Sequence, residues 1–266
     1  MSYITRLDRA FQSAPILPIT PHNKYVFFSD CHRGLGNNND NFLPNADSYL
    51  TALQYYYQQG FCYVEAGDGD ELWEICCMEQ ITETYPAIFA QLSAFHRSGR
   101  LYMLYGNHDM VKKDSVHLFD NLTFHEGIIL CSQQLFANLY VTHGHQADLW
   151  NSVLWKLTRF LVRHLWTPLE YFGILAPTSA SKNSIRKKKL EERYLDYAQN
   201  RGILFLAGHT HRPVLGSNQT PYFNCGSCVR PNCITCIELE GYEISLVKWC
   251  NNNRKREVLA TEHLLQ

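Results

Sequence analysis

Five short apolar runs, each breaking off into side chains able to bind a metal, constrain this chain more than any other feature. Tyr25 to Phe28 leads into Ser29-Asp30-Cys31-His32, and Phe61 to Ala66 into Gly67-Asp68. Leu101 to Tyr105 leads into Gly106-Asn107-His108-Asp109, Leu139 to Thr142 into His143-Gly144-His145, and Ile203 to Ala207 into Gly208-His209-Thr210-His211. Runs this short, rich in aromatic and β-branched residues, read as buried strands. Helix-length segments lie between them: Ala46 to Gln59, stopped by Gly60, and Pro86 to Arg97, followed by Gly99. Strands alternating with helices predict an α/β sandwich. Such sheets bind ligands beyond the carboxyl ends of their strands, so the five polar termini should share one site.

The rest of the chain fits around that pattern. Asn121 to Val141 holds two extended apolar stretches and reads as a hairpin completing the sheet. Tyr222 to Lys248 reads as terminal strands with Arg230-Pro231 as their turn, and Gly36 to Asn41 as a polar loop beside the first motif. Asn151 to Arg201 breaks the alternation, with ten Lys or Arg against four Asp or Glu. We read residues 149–201 as a helical cap inserted in a single domain spanning 1–266. The formal net charge of −1 leaves the remainder net negative, which disfavours a nucleic-acid groove outside the cap.

Hard divalent cations take carboxylate, imidazole and amide-oxygen ligands, and a pair of them needs one carboxylate to bridge. Asp30, His32, Asp68, Asn107, His143, His209 and His211 supply that set. In an extended segment alternate residues point the same way, so Asp30 with His32, and His209 with His211, should each face one side. Two cations about 3.5–4 Å apart can bind a phosphoryl group and deliver hydroxide in line with its leaving group.

Taken together, Asp30-x-His32, Gly67-Asp68-x-x-Glu71, Gly106-Asn107-His108-Asp109, His143 and Gly208-His209-x-His211 resemble the five blocks of the calcineurin-like metallophosphoesterases, in that family's order. The resemblance implies two β-sheets flanked by helices. It implies Asp30, His32 and His211 on one metal, Asn107, His143 and His209 on the second, and Asp68 bridging. His108 would protonate the leaving oxygen and Asp109 would orient it, a role suited to an imidazole near neutral pKa. Gly67-Asp68-Gly69-Asp70-Glu71-Leu72-Trp73 and Gly208 to Pro213 are similar to the UDP-diacylglucosamine pyrophosphatases, which carry a cap between the fourth and fifth blocks. That branch has Arg where this chain has His108, and Asp where it has His145. The activity implied is hydrolysis of a phosphoester or pyrophosphate in a nucleotide-linked or lipid-linked substrate. A serine/threonine protein phosphatase or a general phosphodiesterase is the alternative, and a non-enzymatic scaffold of the same fold is the reading from another class. Manganese is the expected metal, with iron, zinc and cobalt meeting the same ligands.

Other residues have narrower readings. Arg33 could meet a phosphate bidentately. Arg159, Arg163, Lys187 and Arg193 are candidate substrate contacts from the cap. Glu71 reads as an acceptor for a ligand imidazole or a structural cap ahead of a metal ligand, and His145 as a surface or supporting histidine ahead of one touching metal or substrate. The segment from Leu149 to Ile174 is amphipathic; its apolar face could pack on the main domain, or hold an acyl chain or touch a membrane surface. Cys225, Cys228, Cys233 and Cys236 have a zinc-like spacing, but a three-residue offset turns strand neighbours to opposite faces, so buried or half-buried thiols are expected. Cys31 should face the core. Ten cysteines in a large chain whose start, MSYITRLDRAFQSAPILPIT, lacks the pattern of a secretory signal suggest reduced thiols and a cytoplasmic protein without an obligate partner. No run approaches the roughly 18 apolar residues of a membrane span.

Overall fold

A computed structural model describes residues 2–135, 137–148, 184–252 and 254–265. The strands and helices expected from the apolar runs form within two residues of the expected bounds. β2 (Lys24–Phe28), β3 (Cys62–Ala66) and β4 (Leu101–Leu104) are parallel neighbours, as are β7 (Leu139–Thr142) and β8 (Leu204–Ala207) in a second sheet. The first sheet has seven strands in the order β12 (Arg256–His263), β11 (Glu243–Cys250), β10 (Cys233–Glu240), β2, β3, β4, β5 (Phe124–His125). The second has five, ordered β1 (Ile16–Pro18), β6 (Gly127–Cys131), β7, β8, β9 (Tyr222–Asn224).

The two sheets stack through side chains of alternating parity, as the pleat requires. In β2, Tyr25 and Phe27 face the second sheet and join Val64, Leu104, Ile128, Val141 and Leu206 in one cluster. Val26 and Phe28 face outward, where α2 (Ala46–Gln58) and α4 (Pro86–Arg97) cover them with Tyr49, Leu53, Tyr56, Leu92 and Phe95. Phe28 is fully buried among the rings of Tyr49, Tyr56 and Tyr63. Gly60, with φ +80°, lets the chain leave α2 in the left-handed conformation that side chains resist. α1 (Tyr3–Ala10) and the last described helix, α6 (Ser184–Arg201), cover the other face of the second sheet through Leu7, Leu190, Tyr194, Tyr197 and Ala198. The architecture is thus two sheets flanked by helices. Two short helices, α3 (Met78–Thr84) and α5 (Lys112–Ser115), sit in the connections.

The expected 121–141 hairpin forms, β6 pairing antiparallel with β7 in the second sheet, while β5, just before it, extends the first sheet in parallel with β4. Two expectations differ from what forms. Arg230-Pro231 does not turn a hairpin, because β9 lies in the second sheet and β10 in the first; the hairpin turn is at Gly241, between β10 and β11. Cys233 is disulfide-bonded to Cys250 directly across that hairpin, so these two thiols are not free. Cys31, Cys225, Cys228 and Cys236 are fully buried, and among the described residues no cysteine joins a metal-sized cluster. Of the expected cap at 149–201, residues 184–201 are the layer helix α6. Residues 149–183, with Arg159, Arg163 and most of the amphipathic segment, lie outside the described residues.

Candidate metal centre

The carboxyl ends of β2, β3 and β4 from one sheet and of β7 and β8 from the other open onto one site. The loops there do not continue the strands. Asp30, His32, Asp68, His209 and His211 all have φ between +49° and +65°. The alternate-residue argument for D-x-H therefore fails: these are left-handed turns, not extended backbone. Each such residue costs roughly 1–2 kcal/mol, and costs of this kind gather where a site needs them. The turns are held by cross-loop bonds, the amides of Asp30 and His32 donating to the carbonyls of Gly67 (3.1 Å) and Asp68 (2.9 Å). Gly106 is required by proximity, since a Cβ there would lie 2.1 Å from Asp68 Oδ1.

Two ligand-sized groups result. The donor atoms of Asp30, His32 and His211 lie within 4.8 Å of one another, and so do those of Asp68, His143 and His209. Asp68 links them, its Oδ2 being 3.1 Å from His143 Nε2 and 3.8 Å from His32 Nε2. Asn107 stands beside Asp68 on the third loop, where the next amide, of His108, donates to Asp68 Oδ1 at 2.8 Å. Six of the seven side chains proposed from the sequence thus fall in these two groups, and Asn107 is the residue next to the amide that holds Asp68.

The unpaired atoms are informative. Asp30 Oδ1, His32 Nε2, Asn107 Oδ1 and His143 Nε2 are buried without any hydrogen bond. Buried polar atoms are nearly always satisfied, so four orphans in one site need a partner of another kind. All four belong to proposed ligands. Asp30 Oδ2 accepts from Ser29 Oγ and the His209 amide, leaving Oδ1 to face the imidazoles of His211 (3.1 Å) and His32 (3.9 Å). His143 Nδ1 donates to the Ala66 carbonyl (3.0 Å) and His32 Nδ1 to Glu71 (2.9 Å), so each ring has its Nε2 left for the site. Oxygen and imidazole donors of this kind fit divalent cations. Burial opposes charge here, yet the neighbouring imidazoles hold Asp30 and Asp68 well below the usual carboxylate range. Burial likewise opposes protonation of His143, but Asp68 and Asp30 raise it to about 9. A cation would take the place of those protons.

Beside the two groups stands His108. Its Nδ1 donates to Glu71 Oε1 at 2.8 Å, and its ring stacks on Trp73 with centroids 4.1 Å apart. Trp73 Nε1 in turn donates to the Asn107 carbonyl. Glu71, not Asp109, therefore orients His108, which corrects the expectation for Asp109. The same Glu71 carboxylate also holds His32. The Asp109 carboxylate is turned away, accepting the amides of Gly106 (2.7 Å) and Gly69 (3.0 Å) and pairing with Lys112.

Arg33 is not a phosphate contact. It is fully buried, with Asp70 and Glu65 each held by two of its nitrogens. Arg193 is committed to the Ala147 carbonyl (2.8 Å) and the face of Tyr3, which pins α6 to the fourth loop. Lys187, from the same helix, is largely buried within electrostatic reach of Asp30, Glu191, Arg212 and Arg230. His145 is not at the surface; it is buried against His143, and burial followed by the charges of His143 and His209 keeps it neutral. Asp148, unremarked in the sequence, stands 3.9 Å from His209 and pairs with Arg186. Its signal was only its place five residues after His143.

No protein-family model matches the chain, and no curated protein matches it by sequence. Among solved structures it is similar to vacuolar protein sorting 29 from Cryptosporidium parvum (13% identity, TM-score 0.45, 92% of this chain and 98% of that one). It is also similar to a cold-active protein tyrosine phosphatase (17% identity, TM-score 0.49, 97% and 85% covered). Wild-type Vps29 from Entamoeba histolytica complexed with zinc is a third (11% identity, TM-score 0.43, 91% and 99% covered). Likenesses this distant assign neither family nor activity. Those rest on the side chains of the site.

Proposed function

We propose that the chain is a phosphoesterase that depends on two divalent cations. Asp30, His32 and His211 would hold one, Asn107, His143 and His209 the other, and Asp68 both. The observation that carries this reading is the set of four buried ligand atoms without a hydrogen bond, at two groups with the Asp68 carboxylate 3.1 Å from His143 Nε2 and 3.8 Å from His32 Nε2. Bound there, the cations would offset charge on a phosphoryl group and lower the pKa of water. His108, a quarter exposed and held at Nδ1 by Glu71, is placed to pass a proton from Nε2 to the departing oxygen. Trp73 fixes the plane of that ring.

Manganese is the metal proposed, with iron, zinc or cobalt meeting the same donors. For the substrate we propose a nucleotide- or lipid-linked pyrophosphate, on the strength of the G-D-x-x-E-x-W sequence and the cationic α6. A phosphoprotein or simple phosphodiester is the alternative. Membrane contact through the 149–201 cap and a cytoplasmic location belong to the same proposal; no described helix is long and apolar enough to cross a membrane. A scaffold without activity would have no need of His108 in contact with Glu71.

The test is hydrolysis of p-nitrophenyl phosphate and its bis-ester with added manganese. Wild type should be active and the Asp68→Ala variant inactive. A folded Asp68→Ala protein with full metal-dependent activity would overturn the assignment.

A further inference from the structure

Beneath the site lies a buried ion network that the proposed reaction does not use. Its acids are Glu65, Asp70 and Asp109 and its bases Arg33 and Lys112, all with side chains shut off from solvent. Lys112 Nζ lies 2.6 Å from Asp70 and 2.6 Å from Asp109. Three carboxylates within ligand distance of one another could suggest a third metal. The two cationic side chains already occupy that space.

What distinguishes Asp109 is the backbone it holds. Oδ1 accepts the amides of Gly106 (2.7 Å) and Asp68 (3.3 Å), and Oδ2 those of Gly69 (3.0 Å) and Asp70 (3.4 Å). One carboxylate thus ties the second loop to the third. Asp68 lies 3.1 Å from His143 in one group and 3.8 Å from His32 in the other, it sits in a left-handed conformation at φ +51°, and its carboxylate is fixed from the third loop by the His108 amide. A displacement of either loop against the other would move Asp68 relative to Asn107, and with it the spacing of any pair of cations.

We infer that Asp109, with Lys112 as its counter-charge, is a positioning residue for the bridging carboxylate of Asp68 and so sets whether two cations can share it. This rests on the two-metal reading. Asparagine at 109 keeps the shape, but its amide nitrogen faces two backbone N–H groups and the Lys112 ammonium, where only an acceptor fits.

The experiment is manganese titration followed by electron paramagnetic resonance, which distinguishes a spin-coupled pair sharing a bridge from isolated ions. Wild type should show the coupled signal at two manganese per chain. The Asp109→Asn variant should bind its second manganese about 10–100-fold more weakly and show the isolated-ion signal. Taking one of its two close carboxylates from the buried Lys112 could unfold that variant. The Asp109→Asn/Lys112→Gln double variant removes the ion pair as a unit and is read the same way. A coupled signal at wild-type affinity in either folded variant overturns the inference, because a purely structural role lowers stability and leaves the pair intact. If wild type itself shows no coupled pair, the two-metal reading fails instead.

Discussion

Glutamine at position 71 would separate two tasks that one carboxylate performs together. Glu71 accepts the Nδ1 hydrogen of His108 on Oε1 and that of His32 on Oε2, at 2.8 and 2.9 Å. Glutamine has a single acceptor oxygen, and its amide nitrogen only donates. With a metal in place His32 must keep Nε2 bare, so the glutamine oxygen goes to His32 and the NH2 group confronts His108. His108 then loses a charge-assisted bond worth about 1.5–3 kcal/mol, and its Nδ1 must become the acceptor. The carboxylate is only 16% exposed, so water restores little of this. At about 1.4 kcal/mol per tenfold in rate, the proton-transfer step slows by about 10–150-fold. The assay is kcat/KM at saturating manganese for two monoesters. An alkyl phosphate needs its leaving oxygen protonated and should suffer the whole loss, whereas p-nitrophenyl phosphate departs as a stable anion and should suffer little. Equal losses on both would refute the reasoning, placing Glu71 in metal binding or folding alone.

Three further outcomes are expected. Burial pushes Asp70 upward, but Arg33 and Lys112 bring it to about 2; in Glu71 burial is likewise outweighed by His108 and its hydrogen bonds, again to about 2. Both folded values lie below the unfolded ones, so the stabilisation is complete above about pH 5 and is lost as pH falls through 4 toward 2, by roughly 2 kcal/mol for Asp70. Urea unfolding of the metal-free protein across that range measures it, and a level midpoint would contradict it. Gly106→Ala drives a methyl into Asp68 Oδ1, so we expect a stability loss of about 1–3 kcal/mol and no metal-dependent hydrolysis, read by thermal unfolding and p-nitrophenyl phosphate turnover. Trp73→Phe keeps a ring over His108 but removes the bond to the Asn107 carbonyl; about 1 kcal/mol of stability should go, with kcat changed less than by Trp73→Ala.

Much of this was readable from the sequence because strand ends in an α/β sandwich are short-range features. A run such as Tyr25 to Phe28 is too short for a helix, and the polar residues that follow cannot remain in the sheet. What was hidden depends on how loops meet. The left-handed backbone at Asp30, His32 and Asp68 arises from hydrogen bonds between the first and second loops, which residue spacing does not encode. Glu71 and Asp109 are both near enough to His108 to orient it; only the turn after Gly106 sends Asp109 inward and leaves Glu71 alongside. Arg33 reads as exposed next to a metal ligand, and the partners that bury it, Glu65 and Asp70, lie more than thirty residues away. That β5 would join the first sheet and the β6–β7 hairpin the second had no local signal either.

The central claim is tested most directly by crystallising the protein with manganese and collecting anomalous diffraction at the manganese edge. Two peaks about 3.5–4 Å apart, one on each side of the Asp68 carboxylate, are predicted. A single peak, or none within reach of Asp30 and His143, would contradict the account.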